Sequence, residues 1–333
     1  MVGVGVERYG MRFVWTHRHT RKRDLQDLRT RGDPVADAAL TSGKPIDLEE
    51  PAWLDWSKVR EGQLVFRKYL PVAAITLFYA SLVGGFSAAA IVKTLTRAGG
   101  LSTAAPKAAV FRRVLRTSRF VVTVCCPQFL GDLRRGGDAW REVLRIRLVH
   151  AQVRRRVQLE DEVAINLEDS MITLLAFSLD VLRGIERFAT LSERQKDAYL
   201  HLWRYLGYLV GIPDDLNPCA SLDEATAWSE SILMHILEPD ADSIALAHHL
   251  LRAVPGRFEH RAAWCRCLIG DPLADALQLP VPGRSLRRRV FFETSFLAFY
   301  SSILLRVPLV SDVILRFVHD WAIRYFLELT KKA

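Results

Sequence analysis

The chain is expected to be all-α, a single large helical domain, and three observations point there. From Leu64 onward apolar residues recur at three- and four-residue intervals, the spacing that lines one face of a helix. Alternating β-branched segments are scarce, with Val121 to Val124 the main exception. Start and stop signals bracket the periodic stretches: Ser192 before Glu193 opens one helix, and Gly211 with Pro213 closes it.

Residues 1–60 read as a polar amino-terminal arm of short helices, punctuated by Gly32, Pro34, Gly43, Pro45 and Pro51. Trp15, Trp53 and Trp56 are the side chains expected to pin it to the body. Residues 61–333 read as the helical domain, because no stretch has the composition of an interdomain linker. Helices are expected over Arg67–Arg97, Lys107–Val124, Asp138–Leu159, Asn166–Phe188, Glu193–Val210, Leu222–Leu237, Ser243–Ala253 and Arg261–Leu268. Two more follow near the end, divided by Pro308. No self-similarity at roughly 20 to 50 residues is present, which argues against a solenoid.

Two apolar stretches bear on membranes. Pro71–Val92 carries no charge and, at about 1.5 Å per residue, is long enough to cross a bilayer core of roughly 30 Å. Its Pro71, Thr76, Ser81, Gly84, Gly85 and Ser87 equally suit close packing, and a buried helix is the expectation. Val290–Leu329 is rich in Phe, Leu, Ile and Val with Arg306, Arg316 and Arg324 spaced through it, which fits docking on the domain or on a membrane surface.

Composition narrows the function. Half of the 333 residues are hydrophobic and 25 % are charged, which excludes a disordered chain. A net charge of +9 favours anionic partners, whether lipid, nucleic acid or carboxylate ligands. The runs Arg21–Arg23, Arg154–Arg156 and Arg287–Arg289 supply much of it and read as solvated helix ends. Five cysteines, with Cys125 beside Cys126 and Cys265 near Cys267, make neither a disulfide framework nor a four-ligand zinc site, so a reducing compartment is expected. Met1 to Thr20 is interrupted by Arg8, Arg12, His17 and His19 and lacks the apolar core of a secretory signal. The serine-hydrolase elbow, the phosphate-binding loop and the zincin helix are absent, and no nucleic-acid module is found, so no nucleic-acid partner is expected.

The chemistry concentrates in two places. Between Glu61 and Asp132 there is no acid, yet nine Arg and Lys residues fall there, among them Arg67, Arg113, Arg116 and Arg119. Bound carboxylates, lipid headgroups or the acids at Glu160–Glu162, Glu168 and Asp169 could supply the counter-charge. Arg113, Arg116 and Thr117 stand at i, i+3 and i+4, which places two cations and a hydroxyl on one helical face.

The second place is His150, which occupies a slot in the apolar stripe Val143, Ile146, Val153, Val157. It is either a core histidine or a metal ligand, since imidazole in an apolar wall is what a proximal haem iron requires. Arg145, Arg147 and Arg154 flank it and are placed to reach a cofactor's carboxylates or acidic helices. His201, near Trp203 and Tyr205, is a secondary candidate for the pocket, whereas the adjacent His248 and His249 point apart and suit no metal site.

Residues Val143 to Arg154, preceded by Arg113-Val-Leu-Arg116-Thr117, resemble the catalytic domain shared by rubber oxygenases (latex clearing proteins) and MpaB-type oxygenases. The blocks Gly32 to Asp37, Ile165 to Ser178 and Tyr199 to Ile212 are similar to the family's others in the same order, over roughly residues 30 to 220. The resemblance implies a globin-like, rubber-oxygenase-type helical core around a haem pocket. It makes His150 the proximal iron ligand and cofactor-binding residue of haem b, and the flanking Arg147 and Arg154, with His201, are the further candidates for cofactor contact. Arg113, Arg116 and Thr117 become the distal catalytic residues. It implies dioxygen and an apolar, isoprenoid-like substrate cleaved or oxidised at a carbon–carbon double bond. The expected location is intracellular, cytoplasmic or peripheral to the endoplasmic reticulum membrane, and a membrane surface is a further expected partner. Two positions depart from the family. Arg116 stands where a lysine would be and cannot become neutral, so its role is electrostatic. No acid occupies the region upstream of the distal helix where the family carries a glutamate. A non-catalytic helical protein that binds lipid is the competing function.

Overall fold

The computed structural model describes residues 6–8, 11–13, 27–99, 101–126, 132–157 and 162–331. Trp15, Arg21–Arg23, Glu160 and Asp161 lie outside them. Apart from a short antiparallel hairpin, β1 (Val6–Arg8) with β2 (Met11–Phe13), the regular structure of the described residues is helical, as the apolar spacing predicts.

The chain runs through α1 (Pro34–Ser42), α2 (Trp56–Lys68), α3 (Leu70–Ile75) with a π-helical continuation Thr76–Val83, α4 (Ala89–Arg97) and α5 (Lys107–Cys125). Then come α6 (Asp138–Arg156), α7 (Leu167–Phe177), α8 (Leu179–Glu186) and α9 (Glu193–Val210). α10 (Leu222–Ile236), α11 (Ala241–Ala253), α12 (Phe258–Ile269) and α13 (Asp271–Ala276) follow. The carboxy-terminal part comprises α14 (Arg284–Ser302), a 3₁₀ turn Leu304–Arg306, α15 (Pro308–Val313), a π-helical stretch Ile314–His319 and α16 (Asp320–Lys331).

Two expectations are corrected here. The helix predicted over Arg67–Arg97 breaks twice. Tyr69 leaves helical geometry and Pro71, which lacks an N–H, sits in the first turn of α3. Beyond Gly85 the chain turns, and Ala88 bridges to Leu237. The charge-free run therefore becomes the helix Leu70–Val83, shorter than the roughly 20 residues a span requires. No single helix among the described residues is long and apolar enough to cross a membrane.

The helix predicted over Asn166–Phe188 also divides, at Ser178, whose hydroxyl donates to the Leu174 carbonyl at 2.7 Å and lies 3.2 Å from Cys219 Sγ. The helix expected over Lys107–Val124 holds to Cys125 despite the β-branched run, because Val121, Val122 and Val124 are buried in the core and packing outweighs β-branching.

Trp53 and Trp56 fix the arm to α9, edge-on to Tyr208 and Tyr205 respectively. The larger core gathers α2 and α6 to α9 around Tyr199, Tyr205, Leu182 and Met171. A smaller one joins Val83 and Val92 to Leu246, Leu250 and Cys265. Gly184 lets α8 lie against the first π-helical stretch: a Cβ there would overlap the Thr76 side chain.

Candidate active site

His150 projects from α6. Val143 and Ala151 on that helix are fully buried, but Ile146, His150 and Val153 keep partial exposure although protein surrounds the imidazole. The imidazole is therefore largely enclosed by protein while keeping an accessible edge. Neither ring nitrogen makes a hydrogen bond among the described residues. Burial pushes the imidazole pKa down to about 4, helped by the positive charges of Arg154 and Arg113 and opposed by Asp33. At neutral pH the ring is uncharged and both nitrogens lack protein partners, the state in which imidazole binds a metal.

Arg113, on α5, lies close enough for its charge to act on His150. Its guanidinium donates to Thr117 Oγ1 at 2.7 Å, and the Thr117 hydroxyl donates to the Arg113 carbonyl at 3.2 Å. The two side chains are thereby locked along the helix. Burial and the charge of Arg116 lower the Arg113 pKa, and no carboxylate pairs with it among the described residues. Arg116 does not join them: it is exposed, its long side chain carrying the charge to water. The expected convergence of two cations and a hydroxyl is thus one cation and a hydroxyl.

Of the two partners expected for Arg147 and Arg154, a cofactor's carboxylates or acidic helices, the structure shows the second. Arg147 is buried, with Nε 2.6 Å from Asp33 Oδ2 and Nη2 2.9 Å from Asp33 Oδ1, and it also donates to the Leu209 carbonyl at 3.3 Å. Arg154 reaches Asp37 at 3.3 Å and the Ile165 carbonyl at 3.3 Å. Their forks are spent tying α6 to α1 and to the start of α7. His201 Nε2 accepts the Asp55 backbone N–H at 2.9 Å, and the ring packs edge-on to Trp53. It is a joint of the arm and offers no free nitrogen lone pair. His248 and His249 each bond to backbone carbonyls, on Leu277 and Gln278 and on Ala105.

The acids are also placed differently. Glu168 pairs with Arg29 at 2.5 Å, outside the basic zone it was expected to neutralise, and Arg67 of that zone pairs with Asp320 near the carboxy terminus. Asp169 has its pKa pushed up to about 7 by burial and by the charges of Glu168 and Glu162. Asp180, in the first turn of α8, is pushed up to about 6 by burial, with Arg183 pulling the other way. Sequence reasoning missed Arg29, whose partner Glu168 lies 139 residues away, and Asp180, because nothing in a linear pattern reveals a carboxyl that a fold encloses. Asp33 and Asp37 were visible in the Gly32 to Asp37 block, and their i, i+4 spacing was the signal of a two-point clamp.

Fold and site define a helical protein that presents, on α6, a neutral histidine without a hydrogen bond among the described residues, near an arginine–threonine pair on α5. The chain belongs to the family described as ER-bound oxygenase mpaB/B'/Rubber oxygenase, catalytic domain, whose profile matches residues 72–300. Among solved structures it is similar to latex clearing protein LCP in the closed state, with a TM-score of 0.65 and 19 % identity over 88 % of each chain, a likeness of fold. A search of curated proteins found no match.

Proposed function

We propose that the protein is a haem-dependent oxygenase that uses haem b and dioxygen to cleave or oxidise a carbon–carbon double bond in an apolar, isoprenoid-like substrate. Membership of an oxygenase family supports the reaction class, and the donor set fits the cofactor. One site residue is a neutral imidazole with no protein partner among the described residues, in a stripe that is otherwise apolar. The other side chains, Arg113 and Thr117, offer a cation without a carboxylate and a hydroxyl. Haem supplies the redox chemistry that dioxygen activation needs.

The residues divide the remaining work. His150 holds the iron, and its low pKa keeps the lone pair available across the physiological range. Arg113 supplies positive charge where oxygen takes up electrons, in a setting where burial strengthens it. Thr117 holds the guanidinium in place. Arg147 and Asp33 act further back and fix the helix that carries His150.

The unbonded imidazole of His150 is the observation that carries this reading. An ultraviolet-visible spectrum of the purified protein, reconstituted with haem, is expected to show a Soret band that His150→Ala shifts or abolishes while far-ultraviolet dichroism is retained. No Soret band, or the same band in the folded variant, would overturn it.

A further inference from the structure

The segment from Arg284 to Lys331 turns a broad apolar face to solvent. Its two arms, Arg284–Arg306 and Pro308–Thr330, meet at a bend of 109°. On the first, Phe292, Phe296, Phe299 and Ile303 follow one helical stripe, and on the second Phe317, Trp321, Tyr325 and Leu329 do the same. Leu309 is 78 % exposed, Phe317 72 % and Phe292 68 %, values at which a solvated monomer leaves its largest apolar side chains only singly.

Charge selects the occupant. Between Arg284 and Lys331 there are eight Arg and Lys residues and four acids. Glu293 is held by Arg289, His260 and Trp264, and Asp320 by Arg67, which leaves Asp312 and Glu328 as the other acids of the segment. Arg287, Arg288, Arg306 and Arg316 are exposed around the aromatic stripes. A second copy would bring these arginines against one another, and residues 1–26, with Arg8, Arg12, Arg18, Arg21, Lys22 and Arg23, carry the same sign. Anionic lipid headgroups neutralise them, and acyl chains accept the Phe and Leu side chains between.

The opposite faces of both arms are committed to the body. Val290, Leu297, Leu305, Ile323 and Leu327 are buried, and His319 bonds to Tyr300 and to the Arg67 carbonyl. A spanning pair would need lipid on all sides. We propose that this bent pair is a monotopic docking surface for an anionic bilayer, lying in one leaflet without crossing it.

Flotation of the purified full-length protein with phosphatidylcholine vesicles, with and without phosphatidylserine, tests this. Binding is expected to the serine-containing vesicles, to weaken with salt, and to fall by at least about tenfold in Phe317→Ser/Trp321→Ser. Arg287→Gln/Arg288→Gln should lose roughly threefold and most of the salt dependence. All these side chains are exposed, so dichroism and melting temperature should match the parent. Absence of vesicle binding by the parent, or binding untouched by Phe317→Ser/Trp321→Ser, would overturn the proposal. So would a dimer in gel filtration that this double variant splits, since it would make a second copy the occupant.

Discussion

Asp33 and Arg147 form a buried two-point ion pair, 2.6 Å and 2.9 Å, that joins the cap of α1 to the middle of α6 one turn before His150. The pair leaves no room for a side chain at Gly211, whose φ of 102° no other residue adopts easily. Asp33→Ala leaves a buried guanidinium without its partner and is expected to cost about 3–5 kcal/mol in urea denaturation. Asp47→Ala, which breaks the exposed and solvent-screened pair with Arg135, is expected to leave the denaturation midpoint close to that of the parent. Equal losses in the two variants would deny Asp33 its role as a clamp.

Arg113 is a half-buried cation that no carboxylate among the described residues stabilises, so its desolvation is a cost to folding. Arg113→Met is expected to raise stability by roughly 1 kcal/mol while lowering oxygen consumption with substrate by about tenfold or more. Thr117→Val, which removes the acceptor at 2.7 Å, should leave stability within about 0.5 kcal/mol and reduce turnover, with Thr117→Ser restoring it. A variant at Arg113 that loses stability and keeps turnover would assign the residue to structure alone.

Asp169 makes stability pH-dependent in a defined direction. Its carboxyl binds a proton more tightly in the folded state, at about 7, than in the unfolded chain, at about 3.9. Folding therefore takes up a proton between those values, and stability falls as pH rises through that window. Asp169→Asn is expected to melt about 3 °C or more above the parent at pH 8 and close to it at pH 4. His150, lowered to about 4, acts in the opposite sense and loses stability as pH falls below about 6.5, so parent and variant are compared at each pH. A constant difference across the range would exclude Asp169 as the source.

Gly184→Ala drives a methyl group into Thr76, whose own hydroxyl is buried without a partner. The expected loss is about 1–3 kcal/mol. Thr76→Ala alone should be close to neutral, since it removes an unsatisfied hydroxyl, and combined with Gly184→Ala it should recover part of the loss. Additive losses in the double variant would place the strain elsewhere.

The helical class, the capped α9 and the position of His150 were legible because apolar period, caps and the ordered family blocks are local signals. The breaks at Tyr69, Ser178 and Ala88 were not. Ser178 reads as an ordinary helical residue until its hydroxyl meets the Leu174 carbonyl and Cys219, and Ala88 turns because Leu237, far along the chain, pairs with it. In the site, helical spacing placed Arg113 and Thr117 together because they are four apart. It could not say that Arg116 would swing to water, or that Arg147, Arg154 and His201 would be taken up by Asp33, Asp37 and the Asp55 backbone. Those partners lie more than a hundred residues away in sequence, beyond any pattern a helix repeat can express.

α16 is fastened near both ends, by Arg67 to Asp320 at 2.7 Å and by Arg119 to Thr330 at 3.4 Å, and the second fastener starts on α5, the helix of Arg113. The fasteners stand ten residues apart, about 15 Å along the helix axis. A helix bolted twice at that spacing has no free swivel. Its aromatic flank and the helix that carries Arg113 turn together, so whatever surface the flank rests on dictates the compass bearing of that helix.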